Sequence, residues 1–172
     1  MIKLIGITLI LGASTFGGFL CAERMAQRCR MLRQWLRILE MLATEIYYHS
    51  DLLPQILDRI AATVNEKNLE VEFRRMARTI AFGADSSVAE AWTALVTGLL
   101  PEKLRPEDGQ VLLELGSYLG VTDREDQVKK IRTCQSRLEG NLAGAELEVK
   151  KRTNLYRYLG FAAGAIVVLW LL

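Results

Sequence analysis

The chain is poor in the residues that chemistry usually needs. It has one histidine, His49, and three cysteines in 172 residues. Cys21, Cys29 and Cys134 are odd in number and show no CxxC spacing, so neither a disulfide frame nor a zinc site is indicated. There is no GxxxxGK[ST] loop and no HExxH, which excludes nucleotide hydrolysis and zinc hydrolysis through those motifs. Only three prolines interrupt the chain, and none falls after Pro106. Strand-like alternation is absent, as are internal repeats and low-complexity tracts. The net charge of +2 is too small to suggest nucleic acid.

Charge is also missing locally, and this is informative. Residues 4–22, LIGITLILGASTFGGFLCA, hold no charged side chain, and neither do residues 159–172, LGFAAGAIVVLWLL. A bilayer core of about 30 Å needs roughly 20 apolar helical residues. The first segment nearly supplies them. The last 14 residues cover only about 21 Å, or about 27 Å if the span starts at Leu155 and Arg157 snorkels. Trp170 suits an interfacial ring. A cleaved signal peptide is disfavoured, because its n-region would hold a single lysine and its product would begin arginine-rich. Residues 1–22 are therefore expected to be a permanent span.

Basic collars adjoin both segments. Arg24, Arg28, Arg30, Arg33 and Arg37 follow the first, and Lys150, Lys151 and Arg152 precede the second. Both collars face the middle of the chain. The positive-inside rule then puts the middle in the cytoplasm, with the collars either touching anionic headgroups or forming a solvated face that only fixes topology. The expected layout is a transmembrane helix over 1–22, a cytoplasmic helical domain over 23–152, and a second transmembrane helix over 153–172. Small residues Ser14, Gly18 and Ala22 form a ridge on the first span, and Gly160 and Gly164 form GxxxG on the second. Either ridge permits close helix packing, within one chain or between copies.

Helical spacing fills the middle. A first soluble helix, continuous with the span, runs from about Glu23 to Tyr48, with Met25, Leu32, Leu36, Leu39, Ala43, Ile46 and Tyr47 on its apolar face. After a turn at His49–Asp51, Pro54 opens a second helix. Asn65–Asn68 reads as a break. A third helix runs from about Leu69 to Phe82, with Val71, Phe73, Met76, Ala77 and Ile80 inward, and Gly83 ends it. Ser87 and Glu90 have capping-box spacing and start a fourth, which Gly98 stops. Pro106 starts a fifth over 106–119, burying Val111, Leu112, Leu115 and Tyr118 and ending at Gly120. Thr122 or Asp123 caps the sixth, which continues as one long helix, or two stacked, into the C-terminal segment. Trp35 and Trp92 read as core or interface residues rather than a cofactor box, His49 as a surface or capping residue, and Glu139, Glu146 and Glu148 as a solvated face. The fold class is all-α: a six-helix bundle flanked by two transmembrane helices.

Several blocks together resemble the stage III sporulation protein AB family of endospore-forming bacteria. They are LGSYLGVTDREDQ at 115–127, TEIYYHSDLLPQIL at 44–57, Ala91–Trp92, the N-terminal KLIGITLILGASTFGGF and the RYLGFAAGAIVVLWLL tail. The resemblance covers essentially the whole chain. It implies a soluble part similar to the cytoplasmic domain of the type II secretion and type IV pilus platform protein. It also implies a non-enzymatic role, with no cofactor, in an assembly joining mother cell and forespore at the outer forespore membrane. The implied partners are the cognate secretion-type ATPase, other membrane proteins of the channel complex, membrane lipids and a second copy of the chain. The family's LG…LG…D…Q pattern falls on Leu115, Gly116, Leu119, Gly120, Asp123 and Gln127, as a structural turn or a partner contact. Two other readings stay open: an oligomeric pore, though neither span holds an intramembrane charge or a clear polar stripe, and a bundle that binds a small ligand.

Overall fold

The computed structural model describes residues 2–48, 52–82, 87–99 and 103–171, and side chains at Glu23 and within 26–48, 52–82, 87–99 and 103–151. Among the described residues there are six helices and no strand: α1 (Ile2–Tyr48), α2 (Leu53–Thr63), α3 (Lys67–Phe82), α4 (Val88–Leu99), α5 (Pro106–Gly116) and α6 (Arg124–Leu171). The chain divides into two compact units. One comprises Met1–Cys29 with Ala143–Leu172, the other Arg30–Leu142.

The first unit consists of the outer parts of the two long helices. α6 is one helix of 48 residues, not two stacked. Among the described residues no helix is long and apolar enough to cross a membrane. The side chains of the two expected spans, and with them Ser14, Gly18, Ala22, Gly160 and Gly164, lie outside the described residues. So do those of Cys21, Arg24 and Arg152, and the turns holding His49 and Gly83. Arg28 and Cys29 are buried, whereas Lys150 and Lys151 are exposed.

The second unit is the helical bundle. Trp35 on α1 has no exposed surface and packs against Phe73 of α3 at 5.9 Å and Trp92 of α4 at 5.7 Å between ring centroids. Leu57 and Ile60 of α2, Leu112 of α5 and Ile131 and Leu138 of α6 close the core around them. Each such side chain contributes about 1.5–3 kcal/mol when fully buried. α2 packs on α3, α3 on α4 and α4 on α5.

α1 and α6 run antiparallel through this unit. Glu40 pairs with Arg132, Nη2 lying 3.1 Å from the carboxylate, and Gln135 donates to Glu40 at 3.0 Å and to the Leu36 carbonyl at 3.4 Å. Ile46 lines the same groove as Gln127. Residue numbers on α1 thus rise as those on α6 fall. Both helices therefore leave this unit at one pole, around Arg30 and Leu142, and the opposite pole holds Tyr48 and Arg124.

Side-chain caps or first-turn prolines mark four of the helix starts. The Glu90 N–H donates to Ser87 Oγ at 3.1 Å and the Ser87 N–H to the Glu90 carboxylate at 3.3 Å, as the capping-box spacing predicts. Asp123, not Thr122, caps α6, accepting from the Asp126 N–H at 2.8 Å. Pro54 and Pro106 both sit in first turns. Some expectations need correction. α3 starts at Lys67, so the break is narrower than Asn65–Asn68. α4 runs through Gly98 to Leu99. α5 ends at Gly116 and residues 117–121 form turns, with Tyr118 only half-buried. Tyr47 and Val71 are 56% and 54% exposed, because each lies at the margin of its helix's apolar stripe.

A candidate docking groove at the α5–α6 corner

The family-pattern residues build the corner between α5 and α6. Leu115 and Leu119 are buried and anchor it. Gly116 lies against Trp92: a Cβ there would come within 2.5 Å of Cδ1 of the indole. No side chain fits while Trp92 stays where its N–H donates to the Leu112 carbonyl at 2.7 Å. Gly120 has φ of +75°, the left-handed region that costs other residues strain. Gln127 straps the corner from α6. Its Nε2 donates to the Thr122 carbonyl at 2.7 Å and its Oε1 accepts from the Gly120 N–H at 3.2 Å. Asp123 supplies the α6 cap. The Lys130 ammonium stands 4.3 Å from the Tyr118 ring centroid and closes the outer side.

This corner forms one wall of a groove of about 760 Å³. Gly120, Arg124 and Gln127 line that wall. Leu52, Leu53 and Ile56 of the α2 start, Ile80 and Phe82 of the α3 end, and Val88 of the α4 start line the rest. Leu52 is 70% and Phe82 87% exposed. Of the seven large hydrophobic side chains that the described residues expose, Tyr47, Tyr48, Leu52, Phe82 and Val121 belong to this pole. Scattered apolar residues are ordinary on a surface, but a cluster beside a groove marks an interaction site. Asp58, Arg78 and Arg124 are the charged residues of the lining.

The chemistry elsewhere is structural. Among the described residues no three His, Cys, Asp or Glu side chains gather to hold a metal. Burial pushes the Cys134 thiol up to about 12, so it stays protonated. Hydrogen bonds from Arg132 and then Gln135 hold the Glu40 carboxyl below its ordinary range. Asp108 is fully buried and accepts from the Arg105 N–H at 3.0 Å and from Asn141 at 2.9 Å. Of the basic collar, Arg30, Arg33 and Arg37 are exposed. Sequence reasoning missed the groove walls at Leu52 and Phe82. The available signal was a large apolar residue directly beside a turn.

The family model of stage III sporulation protein AB matches residues 3–172. The chain belongs to this family. Stage III sporulation protein AB of Bacillus subtilis (strain 168) is 30% identical over 179 residues, covering all of both chains. A solved structure of stage III sporulation protein AB is similar over 72% of this chain and 97% of its own, with 27% identity and a TM-score of 0.64. The family places the chain in sporulation, and the described fold agrees with a helical bundle.

Proposed function

We propose that this protein is a non-enzymatic membrane platform of the mother cell–forespore channel complex. Its two apolar segments anchor it in the outer forespore membrane, and its bundle stands in the mother-cell cytoplasm. The cognate secretion-type ATPase docks on the groove pole, so that force or assembly is passed to the membrane components. The observation that carries this reading is the antiparallel pairing of α1 and α6. Both helices leave the bundle at one pole, and the apolar groove lies at the other. That arrangement suits a body held at one end and engaged at the opposite one. The exposed Arg30, Arg33 and Arg37 add affinity for anionic lipid, at about 1 kcal/mol each when near the surface.

Removal of residues 159–172 tests the anchoring. The truncated chain should keep the melting temperature of the bundle and give no spores; normal spore yield would contradict a two-anchor platform. A small-ligand receptor has one observation in its favour. The groove volume of about 760 Å³ lies in the range of ligand clefts, roughly 300–1,000 Å³. The exposed Leu52 and Phe82 weigh against it, since a small ligand would leave them wet.

A further inference from the structure

We infer that the groove accepts an amphipathic helix carrying a carboxylate, with Arg78 as its charge anchor. This rests on the reading that a protein partner docks at this pole. Three observations narrow the occupant. First, the walls are apolar and extend outward through the exposed Leu52 and Phe82. An occupant must cover both, which asks for an apolar stripe on a rod rather than a compact solute.

Second, the groove offers an extended peptide no strand to pair with. There is no strand edge among the described residues. The Gly120 N–H is already taken by Gln127, whose own amide is spent on the corner. A segment laid here must satisfy its own backbone, which a helix does.

Third, the lining carries two cations, Arg78 and Arg124, against one carboxylate, Asp58. Arg74 and Arg75, earlier on the same helix, stand 3.1 Å from Glu70 and 3.8 Å from Glu72. Arg78 is exposed and has no carboxylate partner among the described residues. A guanidinium at the lip of an apolar groove selects an acidic residue beside the apolar stripe of the incoming helix.

The test uses the full-length chain in sporulating cells, with the photo-crosslinker p-benzoylphenylalanine placed at position 82 and, separately, at position 52. The crosslinked peptide is then sequenced. It should show apolar residues at i, i+3 or i+4, and i+7, with Asp or Glu within one turn. Arg78→Glu should lower adduct yield by about tenfold or more. Changing that carboxylate to Arg should restore it, and Arg78→Lys should keep most of it. An unchanged yield with Arg78→Glu, a basic or non-helical segment, a lipid adduct, an adduct with a second copy, or none at all would overturn the inference. The outcomes separate it from the platform reading. If the ATPase still co-purifies with the Arg78→Glu chain, only the groove assignment fails. If an acidic helix from another protein is captured and rescued by charge exchange, the ATPase reading fails and the groove assignment stands.

Discussion

Gly116→Ala should destabilise the bundle, and its cost can be worked from the geometry. The added Cβ would lie 2.5 Å from Cδ1 and 3.1 Å from Cγ of Trp92, so the indole or α5 has to move. Overpacking of this kind costs about 1–3 kcal/mol. Moving the indole also strains its bond to the Leu112 carbonyl, worth about 1 kcal/mol. Against this stands the helix preference of alanine over glycine, at most about 1 kcal/mol and only partly realised at the last residue of α5. The net is a loss of about 2 kcal/mol, or a melting temperature lower by roughly 6–10 °C for a domain of this size. Gly98→Ala is the matched control. Gly98 also lies in a helix, and a Cβ there meets nothing within 4 Å. It should stabilise by about 0.4–1 kcal/mol, through the unfolded chain. Thermal unfolding of the 23–152 fragment, followed by circular dichroism, measures both. Shifts of the same sign, or a Gly116→Ala variant as stable as the parent but defective in binding, would refute the packing argument and make Gly116 a partner contact.

The two core tryptophans should respond differently to phenylalanine. Trp92→Phe loses the Leu112 hydrogen bond, whereas the Trp35 indole N–H is buried without a partner among the described residues. Denaturant unfolding should therefore find Trp92→Phe the costlier by about 1–3 kcal/mol; equal costs would contradict this. Glu40→Gln should cost less than about 1 kcal/mol at pH 7, because the pair with Arg132 is half-exposed and screened. A carboxylate held below its ordinary value of 4.5 contributes stability above that pH and loses it as pH falls through its lowered folded value. The gap between parent and variant should thus close below pH 4.5, and a gap that widens in acid would be inconsistent. Cys134, raised to about 12 by burial, should resist iodoacetamide at pH 8 until the bundle unfolds. Labelling of the native fragment at that residue would show the core to be open.

Patterns with a local cause were readable from the sequence. Ser87 and Glu90 specify their cap by spacing alone, and Pro54 and Pro106 mark first turns. Trp92 lies on the apolar stripe of α4, and Trp35 and Trp92 read as core or interface residues; both are fully buried. The sequence could not show that Gly116 makes room for Trp92, since the two are apart in the chain and meet only in the packed bundle. The same holds for Glu40 with Arg132 and Gln135, whose register needs α1 and α6 placed side by side. Helix ends were the least legible. Gly98 looks like a stop, but with negative φ it simply continues α4. Tyr47 and Val71 fit an apolar period, yet they sit at its edge and face outward. The groove was hidden for a related reason: it is made from the ends of several helices that meet only in the packed bundle.

The central claim is that a secretion-type ATPase docks at the pole where α1 ends and α6 begins. The most direct measurement is the affinity of the 23–152 fragment for the cognate ATPase by isothermal titration calorimetry, for the parent, Phe82→Glu and Glu139→Lys. The parent and Glu139→Lys should bind alike, and Phe82→Glu should lose about tenfold or more, because an aromatic anchor is replaced by a charge that binding would desolvate. No binding by the parent, or equal binding by all three, would contradict the account.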